Sequence, residues 1–372
     1  MRIGRLFGIE IRVDFSWILI FLLVVISLRY GFFPAALRDS TPTAYWLLGI
    51  SAALLLFASV LVHELAHSLA ARRYGIDVHA ITLFLFGGVS QIRGEPRSPG
   101  AEFVIAIVGP ATSLVLAGLF WLGFRLGLEA EAPLTFLALS WYLALINGIL
   151  AVFNLLPGLP LDGGRVLRSA LWQVTGNLRQ ATRWASGAGQ VIGLLLILWG
   201  GFSLFATGAV VSSLWLMFIG WFLITAAQSA YRQLELREAL AGVAVGEVMT
   251  PRLPMVDART SVEVFVRDYL LRLDAPLFMA VEEGRVVGLV SLEDVRRLGR
   301  DDWATTPVGA IAHSVEEERT VSATTDAWDA LAQMLEEDVG RLLVTRDGRV
   351  EGVISRDVLS RLVRARMELG YG

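Results

Sequence analysis

Two histidines and a glutamate stand together in the run His63-Glu64-Leu-Ala-His67. On an α-helix, positions i and i+4 share a face about one turn apart, so both imidazoles could grip one zinc ion. Glu64, beside the first, is close enough to take a proton from a zinc-bound water. Zinc lowers the pKa of such a water to around 7, which makes hydroxide available at neutral pH. The motif lies inside a long apolar run, where ionisable groups are expensive and mark functional sites. It holds half of the chain's four histidines. His79 and His313 read as ordinary solvated or packing residues.

A catalytic zinc usually has three protein ligands and an open position. The stretch Phe153-Asn-Leu-Leu-Pro-Gly-Leu-Pro-Leu-Asp162-Gly-Gly-Arg165 offers the third. Asp162 supplies a carboxylate, while Pro157, Pro160, Gly163 and Gly164 break the helix so that the chain can turn inward. The rival reading makes Asp162 a turn residue bonded to its own backbone. Depth favours the ligand: Arg72 follows His67 by roughly 7–8 Å of helix. The metal would then sit a short way below the surface at which the run ending near Asn154 also stops.

The elements that must hold these groups are membrane spans. Of 372 residues, 55% are hydrophobic and 18% charged, with a mean hydropathy of +0.60. Soluble globular chains sit near 45–50% and about 25%. The excess is uneven: residues 15–228 carry nearly all the long apolar runs, and 231–372 read as an ordinary charged domain. Six spans are expected, near Phe15–Leu28, Ala44–Ala71, Ala101–Leu126, Pro133–Leu155, Gly187–Phe205 and Ala209–Gln228. The first resembles a signal peptide, but the spans that follow favour a retained helix. Between the second and third, Ile81–Phe86 ends in Gly87-Gly88 and resumes as Val89–Ile92, a hairpin pattern too short to span as a helix. A strand at membrane depth must be shielded by protein or line a wet cavity, whereas the bland alternative is a greasy surface loop.

Arginines alternate with the spans. Arg2, Arg5 and Arg12 precede the first; Arg72, Arg73, Arg93 and Arg97 follow the second; Arg165, Arg168, Arg179 and Arg183 follow the fourth; Arg232 and Arg237 follow the sixth. The opposite loops hold only Arg29, Arg38 and Arg125. Both ends of the chain are therefore expected on the cytoplasmic side of a cell membrane. Cysteine is absent, which excludes disulfides, thiolate ligands and cysteine nucleophiles. Lysine is absent as well, a composition bias without mechanistic meaning, and a net charge of −3 argues against a general nucleic-acid binder.

Past Gln228 a connecting helix is expected over Tyr231–Leu240, and then an internal repeat begins. Gly288-Leu-Val-Ser-Leu-Glu-Asp294 recurs as Gly352-Val-Ile-Ser-Arg-Asp357, each copy following a Gly-Arg-Val turn and preceding a helix-like stretch. Two units of about sixty residues with short strands and helices suggest a pseudo-symmetric pair.

With these residues in view, the whole chain resembles the site-2-protease family, in the branch with a C-terminal pair of cystathionine-β-synthase (CBS) domains. Asn154, Pro160, Leu161, Asp162 and Gly163 match that family's N…P…LDG segment. The resemblance implies that His63, His67 and Asp162 bind one Zn2+ and that Glu64 is the general base. It also implies that Asn154, with Pro160, helps hold the substrate or developing oxyanion, and that Gly87-Gly88 forms a substrate-binding edge. For Asn154, helix packing is a serious rival, as it is for Asn147. The third span begins almost at once after the hairpin, which separates the chain from the branch with inserted PDZ domains.

The implied fold is a polytopic α-helical membrane domain with about six transmembrane helices and a membrane-associated β-hairpin, plus a soluble α/β CBS pair. The domains would be a metalloprotease domain over 1–230, a linker helix over 231–243 and tandem CBS domains over 244–366 (about 244–301 and 302–366). Substrates would be single-pass transmembrane proteins resembling anti-sigma factors. CBS pairs commonly bind ATP or another adenine nucleotide and often dimerise. Gly288, Ser291 and Asp294 fit the usual nucleotide motif, while the second copy departs from it, since Val358 stands where an aspartate is expected after Ser355. A ligand-free dimerisation module is the alternative. The rival function from another class is a CBS-regulated transporter or channel, which leaves the metal constellation unexplained.

Overall fold

The first unit, Met1–Arg232, is built around a small sheet whose strands are joined through the membrane helices. The structure, a computed structural model, describes residues 2–38, 40–85, 87–93, 96–251, 253–273, 275–347 and 349–369, with backbone alone for 89–93. Phe86 of the expected hairpin lies outside the described residues. Strands β1 (Arg2–Leu6) and β2 (Ile9–Val13) form an antiparallel hairpin, and Asp14 then caps α1 (Phe15–Ser27) through Ser16 N at 2.9 Å. A π-helical turn at Leu28–Phe32 leads into α2 (Phe33–Ala36), so the first candidate span reaches Ala36. Helix α3 (Pro42–Arg73) carries both histidines and ends at β3 (Asp77–Phe84), which turns into β4 (Gly87–Arg93).

The sheet order is β1-β2-β3-β4, with β2 parallel to β3 and β3 antiparallel to β4. A parallel neighbour requires a crossover, and here the crossover consists of the first two membrane spans. Ile9, Ile11, Val78 and Ile81 of the sheet are buried with Ala71 of α3. Arg72 ties the same corner, donating to the carbonyls of Phe7 and Val78 at 2.6 and 2.8 Å. Four strands thus stand where the sequence pattern points to two. β1 and β2 escape notice because their arginines read as flanks of the first span.

Helices α4 (Pro99–Glu129), α5 (Leu134–Asn154), α6 (Asp162–Thr175), α7 (Leu178–Thr207) and α8 (Val210–Leu240) complete the unit's elements. Among the described residues six helices are long and apolar enough to cross a membrane. α7 starts at Leu178 rather than at Gly187, because Asn177 caps it through Gln180 N at 2.9 Å. Hydropathy marks where a helix enters an apolar phase; capping marks where it begins. The helix expected separately at Tyr231–Leu240 is the continuation of α8. The amphipathic α6 is not among the spans; it buries Gly163, Gly164 and Ser169. A Cβ on Gly164 would strike the backbone of Gly158 and Leu159, and one on Gly189 of α7 would strike the Leu159 carbonyl. The loop before Asp162 is therefore pressed between α6 and α7 at backbone distance.

The second unit, Gln233–Gly372, holds two sheets. Its elements in chain order are α9 (Val245–Val248), β5 (Thr250–Pro251), β6 (Met255–Asp257), α10 (Val262–Phe265), β7 (Phe278–Glu282), β8 (Arg285–Val290) and α11 (Leu292–Arg297). They continue with α12 (Val308–Ile311), β9 (Thr320–Ser322), α13 (Ala327–Glu336), β10 (Arg341–Arg346), β11 (Arg349–Ser355) and α14 (Arg356–Glu368). Strands β6-β7-β8 form one sheet and β5-β11-β10-β9 the other. Each repeat lends its opening segment to its twin: Val245 is buried with Leu342 and Ile354, and Val308 with Val256 and Phe278. Leu253, Leu277, Leu289, Leu343 and Val353 form a third cluster shared by both repeats.

Candidate metal centre

α3 turns His63 and His67 toward α4 and α6. His63 Nδ1 lies 2.8 Å from Ser113 Oγ, and His67 Nδ1 donates to the Ile105 carbonyl at 2.6 Å, both partners being on α4. With the Nδ1 atoms anchored, both Nε2 atoms face one point. They stand 3.1 Å apart, and Asp162 Oδ2 at the start of α6 is 3.2 Å from the first and 3.1 Å from the second. Donors of a tetrahedral zinc at 2.0–2.2 Å would stand about 3.3–3.5 Å from one another, so the residues fit the ion. A Cβ on Gly109 of α4 would meet His67 Nε2 and lie 2.7 Å from His63 Nε2; only glycine leaves this cradle open. Among the described residues this is the one group of three histidines or carboxylates with donors so placed. Burial raises the Asp162 carboxyl, but hydrogen bonding to His63 and His67 outweighs it and holds the group below the usual carboxylate range.

The three donors open on a cavity of about 660 Å³. Its wall includes Glu64, Gly87 and Gly88 of the hairpin, Asn154, Pro160, Arg165, and Trp215 and Phe222 of α8. Gly88 packs on the aliphatic part of Glu64, and β4 is the outer strand of its sheet. The Asn154 side chain has no hydrogen-bond partner among the described residues, so its amide is available to a ligand. Asn147 differs: it is fully buried and donates to the Leu143 carbonyl at 2.8 Å. Beside the cavity, Arg168 of α6 donates to fully buried Glu102 of α4, an ion pair that fixes α6 against the helix bearing Ser113.

The peptidase family M50 model matches residues 51–129 and 127–199, and the CBS domain model matches 245–301 and 308–364. The protein Rip3 of Mycobacterium tuberculosis is 37% identical over 366 residues, covering 97% of this chain and 92% of that one. The chain belongs to peptidase family M50. The protein sll0528 of Synechocystis is 36% identical over 360 residues, with 96% and 93% covered, and like Rip3 it is named among zinc metalloproteases. A solved site-2 protease from Methanocaldococcus jannaschii is 27% identical, covers 62% of this chain and 95% of that one, and has a TM-score of 0.44. This M50 protease is a multi-pass membrane protein with a CBS pair.

Within the M50 chain the CBS residues singled out by sequence have work inside the protein. Asp294 is buried and accepts from Ser291 N at 2.8 Å and Ser291 Oγ at 2.7 Å, a capping box at the start of α11. Its Oδ2 is also 3.3 Å from His313 Nδ1, and His313 Nε2 is 2.9 Å from Glu318. Gly288 sits where a Cβ would stand 2.8 Å from the His313 carbonyl, so it lets the other repeat's opening segment cross. Gly352 does the same against Thr250. His79 is exposed on β3, away from the metal cluster. Sequence reading missed Ser113, Gly109 and the Ile105 carbonyl. Gly109 and Ser113 sit at i and i+4 on one face of α4, but small residues on an apolar helix are too common to single out a metal site.

Proposed function

We propose that this M50 protease cleaves transmembrane segments of single-pass membrane proteins, of the kind represented by anti-sigma factors. His63, His67 and Asp162 would hold one zinc ion, and Ser113 and the Ile105 carbonyl would fix the imidazole tautomers. Bound zinc supplies a Lewis acid that polarises a carbonyl and lowers the pKa of its water. Glu64 takes the proton of the attacking water and delivers it to the leaving amine.

A substrate helix hides its peptide groups, so it must unwind and offer a strand. The observation that carries the reading is the junction of the donor triad with the outermost strand of the sheet: Gly88, on β4, lies on Glu64 in the wall of the same cavity. A substrate strand added to β4 would bring its backbone to the general base. Asn154 and Pro160, in the wall of the same cavity, would supply a donor and a rigid turn to that strand.

The arginine distribution supports cytoplasmic placement of both ends and of the CBS pair. An adenine nucleotide such as ATP is the candidate regulator of that pair, which is also the candidate surface for a homodimer. A ribose contact by Asp294 would require its capping box with Ser291 to open. The protein purified in detergent, incubated with single-pass substrates, tests the whole reading. Cleavage should vanish on chelation and in Glu64→Gln, and a folded protein without stoichiometric zinc would sink it.

A further inference from the structure

Arg165 is the cation in the metal cavity that the carboxylates of Asp162, Glu102 and Glu64 act on only at a distance, without direct contact. Among the described residues its guanidinium has no hydrogen-bond or ion-pair partner, although it is only partly exposed. Two of the neighbouring carboxylates bond to other groups: Asp162 lies against both imidazoles, and one oxygen of Glu102 receives Arg168. α6 cannot roll to hide Arg165. Gly163 and Gly164 press on the backbone of the preceding loop, and Arg168, one turn on, is fixed to α4.

Much of the remaining wall is apolar, including Phe84, Phe153, Trp215 and Phe222. A guanidinium keeps its charge at every working pH, and burying its N–H donors without a directly bonded acceptor is unfavourable. Water answers it while the cavity is wet. A substrate segment filling the cavity displaces that water, and the charge must then be met from the substrate. The planar fork of arginine is matched best by a carboxylate, which it binds through two parallel hydrogen bonds.

We propose that Arg165 is a substrate-binding residue that takes a carboxylate of the cleaved segment. The inference rests on the protease reading above. The carboxylate has two sources with the same chemistry: an Asp or Glu side chain near the scissile bond, or the new C-terminus of the released piece.

Three synthetic apolar peptides of one sequence separate them. One is neutral with a C-terminal amide, one has a free C-terminal carboxylate, and one is the amide with a single internal Asp. Binding to the full-length, zinc-loaded protein in detergent is measured for wild type, Arg165→Gln and Arg165→Lys, with zinc content checked in each. At least one acidic peptide should bind wild type about tenfold more tightly than the neutral one. That advantage should disappear in Arg165→Gln and persist in part in Arg165→Lys. The acidic peptide that gains identifies the source.

Equal binding of all three peptides to wild type, or none, overturns the proposal. So does an advantage that survives Arg165→Gln, as one supplied by the metal would. If Arg165→Gln loses zinc or fails to fold, wild type against Arg165→Lys decides: an acidic advantage equal in both overturns it. A protein that binds acidic peptides selectively yet holds no zinc would refute the metal centre and leave this site standing.

Discussion

Gly88 of β4 lies directly over Glu64 of α3: a methyl group at residue 88 would overlap the glutamate's Cγ and stand 3.0 Å from its Cδ. The sheet edge and the proposed general base are thus in contact, so a side chain at residue 88 would push Glu64 aside.

Gly88→Ala is therefore expected to displace Glu64 without touching a metal ligand. kcat should fall by about 10²-fold, the low end of what positioned acid–base groups contribute, while zinc content stays at the wild-type level. Steady-state kinetics with metal analysis of the same preparation read both. An unchanged kcat would show that Glu64 does not act from this position.

Ser113 holds His63 at 2.8 Å and should tune metal affinity more than chemistry. Ser113→Ala is expected to weaken zinc binding roughly 10–100-fold, seen as earlier loss of activity in a chelator titration. Excess zinc should restore the rate. A variant that stays slow at saturating zinc would assign Ser113 a different role.

The Glu102–Arg168 pair predicts an asymmetry in stability. Removing one partner leaves a buried charge uncompensated, which costs about 3–5 kcal/mol, whereas apolar replacement of both is often neutral. Arg168→Met should lower the unfolding temperature sharply, and adding Glu102→Leu should recover most of the loss. If the double variant unfolds no later than the single, the pair is not coupled.

Much of this site is legible in sequence, and the boundary is physical. Local spacing reports what a helix does by itself, so His63 and His67 declare their common face with Glu64 beside them, and the helix breakers around Asp162 announce a turn. Groups whose role depends on a neighbour leave no such trace. Ser113 and Gly109 matter only because α4 passes the histidines, and Arg165 stands out only once Arg168 is seen to be paired. β1 and β2 were hidden for the opposite reason, since arginine beside an apolar span has a sufficient explanation in membrane topology. In the CBS pair, Gly288 and Asp294 match a ligand motif, yet Asp294 caps its own helix, and the contacts of both with His313 arise only when the two repeats exchange segments.

The β1–β2 hairpin gives a pH prediction outside the spans. Hydrogen bonds from Arg12 and then Arg5 hold the Glu10 carboxyl at about 2, below its ordinary 4.5. The folded state thus binds this proton less readily than the unfolded one, so the stabilisation is full above about pH 4.5 and is lost as pH falls toward 2. Glu10→Gln should unfold earlier than wild type at pH 7 and together with it at pH 2. A gap of constant size across that range would exclude the ion pairs as its cause.

The parallel pairing of β2 with β3 has a consequence for biogenesis. Two hydrophobic segments are synthesised between these strands, so the sheet cannot close until both have left the translocon and packed. The sheet that borders the metal cavity is thus completed only after the early helices are seated.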